Sequence, residues 1–188
     1  MNSLESIWLA YLSQPACDRV LYRAIRKWKI RRIMEIGIGD LRRGQRMIRL
    51  AQRYHPGAEV RYVGVDLFEA RPAAEVIAGN ATDASTMSLK SAYRLLRATG
   101  ARIHLIPGDA IQALVRSANA LPGNELVLVS ANHAAEMLSQ AWLYVPRMLA
   151  SDALVYAAQS DGSRSAWRPL PVAELQSLAG APSRRRAA

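Results

Sequence analysis

Mostly apolar runs and amphipathic segments alternate along the central part of this chain. Five runs have the length of strands: residues 31–36, 60–65, 102–106, 126–129 and 153–158. Four segments with helical spacing of apolar residues lie between or after them: 45–54, 88–99, 110–117 and 133–148. The alternation predicts right-handed βαβ units. We therefore expect an α/β fold, a three-layer Rossmann-like sandwich with a mostly parallel sheet of at least five strands and helices on both faces.

The two ends of the chain depart from this alternation. Residues 3–28 predict a helix that places Leu21, Ile25 and Trp28 on its apolar face. Residues 160–171 are interpreted as a loop. The chain divides into three parts: an N-terminal helical extension (1–29), a Rossmann-like cofactor-binding domain (30–158) and a C-terminal segment with a basic tail (159–188), either in the same domain or partly disordered.

Composition narrows the class of protein. The hydrophobic fraction of 51% argues against a largely disordered chain, and Cys17, the single cysteine, excludes an intrachain disulfide. No segment approaches the roughly 20 consecutive apolar residues of a membrane-spanning helix, and residues 1–12 lack a signal-peptide pattern. We expect a cytoplasmic protein with no membrane partner.

The chain is strongly basic, with a net charge of +10 and a pI of about 10.5. Arginine supplies most of the positive charge, and it binds phosphate and carboxylate groups bidentately. Nucleic acid is therefore a candidate partner. A genome that favours arginine on ordinary solvated surfaces is the alternative explanation.

The turn after the first predicted strand has the pattern of a nucleotide site. Glu35 closes the strand, and Gly37 and Gly39 follow at alternate positions. Glycine allows a tight turn and lets backbone N–H groups approach a ligand. Arg42 occupies the third glycine position of a dinucleotide fingerprint, which disfavours a nicotinamide-dependent oxidoreductase.

The segment Glu35-Ile36-Gly37-Ile38-Gly39 resembles motif I of the class I S-adenosylmethionine-dependent methyltransferases. The resemblance extends over about residues 30–158 and implies S-adenosylmethionine as cofactor. By this resemblance the cofactor-binding residues are Glu35, Gly37, Gly39, Asp66, Leu67, Asp109, Ala110 and Ser130.

Two acidic residues follow later strands and acquire roles from the same resemblance. Asp66 ends the second strand, where a carboxylate can accept hydrogen bonds from both ribose hydroxyls. A helix N-cap is the alternative role, but Glu69 suits that position better. Asp109 would accept the adenine amino group, and it is also a suitable N-cap for the helix that follows.

The segment after the fourth strand departs from the family pattern. Some relatives read Asp-Gly-Asp-His there, whereas this chain has Ser130 and Asn132 in place of the two acids. A hard divalent cation prefers carboxylate ligands, so no metal is expected. Asn132 and His133 are the candidate catalytic residues, with His133 as a general base; capping of a helix is the alternative.

Arg42 and Arg43 begin the helix after the glycine turn. Either could pair with the carboxylate of adenosylmethionine, and an exposed, solvated arginine pair is the alternative. At the other end, we expect residues 159–188 to be too short and polar to supply the two further strands of the family fold. The sheet edge would then be truncated or covered by a partner chain, which allows a homodimer.

Two functions remain open. The first is an S-adenosylmethionine-binding methyltransferase with an unknown small-molecule or macromolecular acceptor. The alternative is a non-catalytic methyltransferase-like domain that binds RNA or a protein partner, through the basic N-terminal face and Arg184 to Arg186.

Overall fold

The computed structural model describes residues 3–38, 41–68, 87–130, 144–161, 164–171 and 174. The described helices are α1 (Ser3–Tyr11), α2 (Arg19–Trp28), α3 (Leu41–Tyr54), α4 (Leu89–Arg97), α5 (Ala110–Ser117) and α6 (Val145–Met148), with a 3-10 turn at Ala16–Asp18. The described strands are β1 (Arg32–Ile36), β2 (Arg61–Asp66), β3 (Arg102–Pro107), β4 (Asn124–Val129), β5 (Leu149–Asp161) and β6 (Arg164–Leu170).

These strands form one sheet in the order β3-β2-β1-β4-β5-β6. β1 is parallel to both β2 and β4, β3 is parallel to β2, and β5 is parallel to β4. Only the pairing of β5 with β6 is antiparallel among the described strands. The predicted Rossmann-like fold with a mostly parallel sheet is therefore confirmed.

Apolar residues on both faces of the sheet bury it between two helical layers. Ile33, Tyr62 and Leu126 share a core with α2, α3 and α4. Met34, Val63 and Val127, from alternate positions of the same strands, share a second core with α5 and α6. This alternation explains why β1, β2 and β4 are mostly apolar, since helices cover both of their faces.

The N-terminal region is not the single helix predicted for residues 3–28. The chain leaves α1 after Tyr11 and passes through a 3-10 turn before α2 begins. Pro15 lies in this break, and its ring and missing N–H are incompatible with the interior of a helix. Leu21 and Ile25 are buried as predicted, but Trp28 is 58% exposed.

The interpretation of residues 160–171 as a loop was wrong. β5 continues to Asp161, and β6 pairs with it from Val155↔Leu170 to Asp161↔Arg164. The polar composition of β6 reflects its position as an edge strand: Leu170 is buried, whereas Arg168 and Pro169 are exposed. Proline is tolerated on an edge because one side of the strand needs no ladder hydrogen bond.

The predicted helix at 133–148 is observed only in its last turn, α6, because residues 131–143 lie outside the described part of the chain. The basic tail also lies outside it. Within the described ranges, none of the helices has the length and apolar character needed to cross a bilayer.

Replacing Trp167 by phenylalanine tests the contact that ties β6 to the N-terminal region. The indole Nε1 donates a hydrogen bond of 3.0 Å to Oδ1 of Asp18, which is 1% exposed. Phenylalanine keeps a ring but removes this donor to a buried carboxylate. We expect the free energy of unfolding, measured by urea denaturation, to fall by about 2 kcal/mol.

Arg168→Gln is the matched control in the same strand. Its guanidinium pairs with Glu174 at the surface, so the expected loss is below about 1 kcal/mol. Equal losses in the two variants would show that the Trp167–Asp18 contact does not secure β6.

Candidate functional site

The order of the strands reverses at β1, so the carboxyl end of β1 is the switch point of the sheet. β2 and β3 lie next to one edge of β1, and the chain then crosses over so that β4 and β5 lie next to its other edge. In open parallel sheets, ligands bind at such a switch point, beyond the carboxyl ends of the strands. The turn that begins at Gly37 leaves β1 at this point.

Three backbone hydrogen bonds hold the strand ends side by side. The Gly37 N–H donates to the Val65 carbonyl over 2.8 Å, and the Gly108 N–H donates to the Asp66 carbonyl over 2.9 Å. The Ser130 N–H donates to the Ile36 carbonyl, also over 2.9 Å. Gly37, Asp66, Gly108 and Ser130 thus form a continuous strand-end row.

Glycine is required at two positions of this row. Gly37 has φ +77° and Gly108 has φ +121°, values that side-chain-bearing residues rarely adopt. Both positions lie where a strand turns toward the next helix. The sequence prediction that Gly37 opens a tight turn agrees with this conformation, whereas its predicted partner Gly39 lies outside the described residues.

Asp66 lies in the row with its side chain mostly shielded from solvent, since the residue is 5% exposed. The Leu67 N–H donates a 2.7 Å hydrogen bond to Asp66 Oδ1, which fixes the rotation of the carboxylate. This carboxylate lies at the end of β2, beside the turn that begins at Gly37.

Asp109 caps α5, as its sequence position predicts. Its Oδ1 accepts hydrogen bonds from the N–H groups of Ile111 at 3.0 Å and Gln112 at 3.1 Å. Ala110, the first residue of α5, is 4% exposed and packs in the core beneath the sheet. Ser130 is partly buried at the end of β4. The candidate catalytic residues Asn132 and His133 lie outside the described residues.

A buried ion pair lies beneath the glycine turn. Glu35 is fully buried, and its Oε1 accepts hydrogen bonds from Nε of Arg43, at 2.9 Å, and from Nη2 of the same guanidinium. Its Oε2 accepts a 2.6 Å hydrogen bond from the Tyr62 hydroxyl. Both oxygens of the Glu35 carboxylate are therefore engaged by the protein itself.

The ion pair also contacts Asp18, near the N-terminus, and Trp167, in β6. Nη1 of Arg43 lies 3.9 Å from Oδ1 of Asp18, and the guanidinium carbon lies 5.1 Å from the centre of the Trp167 ring. Since Trp167 also bonds to Asp18, five side chains form one connected group. We call it the Glu35 cluster: Glu35, Arg43, Tyr62, Asp18 and Trp167.

Electrostatics inside the Glu35 cluster favour the charged arginine and the neutral phenol. Burial alone would lower the pKa of Arg43, but the carboxylates of Glu35 and Asp18 outweigh it and raise that pKa. Burial, followed by the charge of Glu35 and the hydrogen bond to it, raises the pKa of Tyr62 well above its ordinary value.

Gly44 provides the space that the Tyr62 hydroxyl occupies. A Cβ built on Gly44 would lie 3.1 Å from the Tyr62 hydroxyl oxygen and 3.3 Å from the adjoining ring carbon. Gly44 therefore allows α3 to pack closely against β2. A larger residue there would press on the donor of the 2.6 Å bond to Glu35.

The structure separates the two arginines that the sequence treats as a pair. Arg42 is exposed, but Arg43 points inward, and its side chain is 12% exposed. The alternative of a solvated surface residue was wrong for Arg43, because its guanidinium is paired with Glu35 and Asp18 inside the protein. A contact of either arginine with the cofactor carboxylate stays a prediction. A signal was present: a glutamate inside a buried strand requires a cationic partner.

The described ranges contain no group of three or more histidine, cysteine or acidic side chains arranged to hold a metal ion.

No protein-family model matches the chain, and no curated protein matches it significantly. Among solved structures, the chain is similar to the O-methyltransferase TomG from Streptomyces achromogenes, in complex with SAM, at 16% identity and a TM-score of 0.48, covering 95% of this chain and 75% of that one. It is similar to the SAH-bound Podospora anserina methyltransferase PaMTH1 at 18% identity and a TM-score of 0.45, covering 82% and 59%.

A SAM-dependent methyltransferase from Agrobacterium tumefaciens is similar at 15% identity and a TM-score of 0.43, covering 85% of this chain and 45% of that one. The chain thus spans less than two thirds of PaMTH1 and of the Agrobacterium protein. At these identities and TM-scores, the similarities do not by themselves assign an activity to this chain.

Replacing Glu35 by glutamine tests whether the Glu35 cluster stabilises the fold. The substitution keeps the shape of the side chain but leaves the buried Arg43 without its nearest countercharge. We expect the free energy of unfolding to fall by about 3–5 kcal/mol in urea denaturation.

Glu59→Gln is the control for Glu35→Gln, because Glu59 pairs with Arg102 where both side chains are more than half exposed. Its expected loss is about 0–1 kcal/mol. A Glu35→Gln variant as stable as this control would refute the assigned role of the ion pair.

Replacing Tyr62 by phenylalanine tests the raised pKa of its hydroxyl. Above pH ~10 the unfolded chain loses the Tyr62 proton while the folded protein keeps it, so this contribution to stability is complete below that pH and is lost above it. We expect Tyr62→Phe to flatten the decline in stability between about pH 9 and pH 11, measured by urea denaturation.

Tyr93, which is 45% exposed, supplies the matched substitution Tyr93→Phe. That variant should keep the alkaline decline of the original protein. Identical slopes for the original protein and Tyr62→Phe would contradict the assignment.

Proposed function

We propose that this chain is a methyltransferase that binds S-adenosylmethionine along the strand-end row. The observation that carries this proposal is the position of Asp66, a shielded carboxylate at the end of β2, beside the Gly37 turn and at the switch point of the sheet. A carboxylate there suits the two hydroxyls of a ribose, which it can bind together.

The residues of the row fit the adenosine part of that cofactor. Oδ1 of Asp66 is oriented by the Leu67 N–H, which holds the carboxylate in a fixed rotamer at the end of the strand. The Gly108 N–H donates to the Asp66 carbonyl, so Asp109, the next residue, lies next to the proposed ribose position. With Oδ1 turned toward the α5 backbone, Oδ2 of Asp109 is the oxygen that would accept the adenine amino group.

In this proposal Glu35 supports the site without touching the cofactor. Its carboxylate is 0% exposed and engaged by Arg43 and Tyr62 on the side of the sheet that α3 covers. The Glu35 cluster then fixes the end of β1, and so the origin of the Gly37 turn. This role differs from the direct contact that the sequence motif predicts for Glu35.

When bound, S-adenosylmethionine supplies an electrophilic sulfonium methyl group. Transfer of that group depends chiefly on holding the acceptor nucleophile in line with it, so positioning by the protein can supply most of the catalysis. Asn132 and His133 remain the candidates to contact the acceptor, because they follow Ser130 at the end of β4. The acceptor is a small molecule or a macromolecule, and we propose a cytoplasmic setting.

Calorimetric titration of the protein with S-adenosylmethionine and its demethylated product tests the proposal. We expect binding of both ligands by the original protein. Asp66→Asn should weaken binding at least about tenfold, because a hydrogen bond to a charged group contributes about 1.5–3 kcal/mol. Asp152→Asn, an exposed acid near the start of β5, should bind like the original protein.

Circular dichroism of each variant separates loss of the site from loss of the fold. A folded protein that binds neither ligand at about millimolar concentration, where affinity corresponds to only about 4 kcal/mol, overturns the proposal. That result would favour a non-catalytic domain. Equal affinities of Asp66→Asn and Asp152→Asn would remove Asp66 from the site.

A further inference from the structure

Exposed apolar side chains are concentrated on the first helix. Nine large hydrophobic residues are exposed in the described part of the chain, and five of them fall within residues 4–12. We call these five the α1 ridge: Leu4 (76% exposed), Ile7 (40%), Trp8 (43%), Tyr11 (52%) and Leu12 (64%). Scattered exposed apolar residues need no explanation, but a contiguous group indicates a contact surface.

The spacing of the α1 ridge makes it one continuous stripe. Its positions follow the i, i+3, i+4, i+7 and i+8 pattern of a single helix face. Leu12 lies just past α1 and continues that face, since its N–H donates a 2.8 Å hydrogen bond to the Trp8 carbonyl. The opposite face is already buried: Leu9 and Ala10 are 3% and 1% exposed, and the Ser6 hydroxyl lies 3.1 Å from the Tyr54 hydroxyl. The helix is therefore fixed on the protein body while the ridge faces outward.

Arginines border the α1 ridge. The Arg46 guanidinium lies 5.8 Å from the Trp8 ring centre, and Arg26 lies 5.9 Å from that of Tyr11. Arg19 donates hydrogen bonds to the carbonyls of Ser13 at 2.8 Å and Leu12 at 3.4 Å. These contacts hold positive charge at the level of the exposed rings.

The N-terminal part of the chain, which carries the ridge, is also basic. Residues 1–54 contain twelve lysines and arginines and four acids. Two of those acids, Asp18 and Glu35, are buried with Arg43. Glu5 is the exposed acidic side chain among residues 3–38 and 41–54. A partner for the ridge must therefore accept apolar and aromatic side chains within a strongly positive rim.

A second copy of the chain meets this requirement poorly. Stacking of two ridges would bring arginine rims of like charge together, and five side chains are far fewer than the roughly 20–30 residues per side of a stable interface. Single-stranded RNA would use the arginines and the rings. It would gain little from Leu4, Ile7 and Leu12, the aliphatic members of the ridge.

An anionic bilayer surface fits all three kinds of side chain. Leucine and isoleucine can enter the acyl region, tryptophan and tyrosine prefer the headgroup level, and arginine binds lipid phosphates. We propose that the α1 ridge docks this protein on the surface of anionic membranes, lying on the bilayer without crossing it. The sequence expectation of no membrane partner rested on the lack of a spanning segment, which such docking does not need.

Sedimentation of the full chain with lipid vesicles tests this proposal. We expect binding to vesicles of phosphatidylcholine mixed with phosphatidylglycerol, and binding at least about tenfold weaker to phosphatidylcholine alone. Leu4→Ser together with Leu12→Ser removes the two most exposed members of the ridge and leaves the arginine–ring contacts in place. This double variant should bind anionic vesicles at least about tenfold more weakly.

The matched control replaces two exposed apolar residues elsewhere, Tyr93→Ser with Val115→Ser, which are 45% and 46% exposed. It should bind vesicles like the original protein, and thermal melts should show both variants folded. Absence of vesicle binding by the original protein, or equal binding by the two double variants, overturns the proposal.

Two further measurements address the other occupants of the ridge. Sedimentation velocity that shows a dimer lost only in the Leu4→Ser, Leu12→Ser variant would assign the ridge to a second copy and overturn the proposal. Binding of single-stranded RNA that the same variant loses, without a matching loss of vesicle binding, would also overturn it. A monomer whose RNA binding is unchanged supports the lipid assignment.

Discussion

A carboxylate buried in the middle of a parallel sheet is the constraint on which the rest of this structure depends. Glu35 lies on a central strand at 0% exposure, where an unpaired charge would be very costly. Arg43 and Tyr62 satisfy both of its oxygens, and Arg43 requires Asp18 in turn. A buried pair of this kind is weak evidence for net stabilisation, but breaking it is expensive. Its main effect is to allow only one arrangement of the elements that supply its members.

Those elements are distant in the chain. The Glu35 cluster takes one member each from the 3-10 turn, β1, α3, β2 and β6, so the N-terminal region and the edge strand are both tied to the strand that carries the glycine turn. The contacts of the Glu35 cluster therefore fix the end of β1, from which the Gly37 turn begins. A ligand site at the switch point gains from such rigidity, because groups that are held in place before binding lose less entropy when the ligand arrives.

The sequence predicts local features well and long-range ones poorly. The positions of Gly37, Asp66 and Asp109 at strand ends follow from the alternation of strands and helices, since parallel strands bring their carboxyl ends to one edge. The partner of Glu35 does not follow, because Arg43 and Tyr62 have to be chosen from many arginines and tyrosines by tertiary packing. β6 was missed because its sequence contains polar residues and Pro169, and so lacks the apolar run that marks β1 to β4.

The same buried charges also shape the outer surface of the protein. Asp18 and Glu35 are both turned toward one internal arginine, so neither lies beside the arginines that face solvent on α2 and α3. The burial of these two acids thus leaves the helical layer around α1 strongly positive. A positive surface with an apolar stripe attracts anionic partners at long range and retains those that also accept apolar side chains. The burial of acids inside the protein and the excess of arginine on its surface are therefore two sides of one distribution of charge.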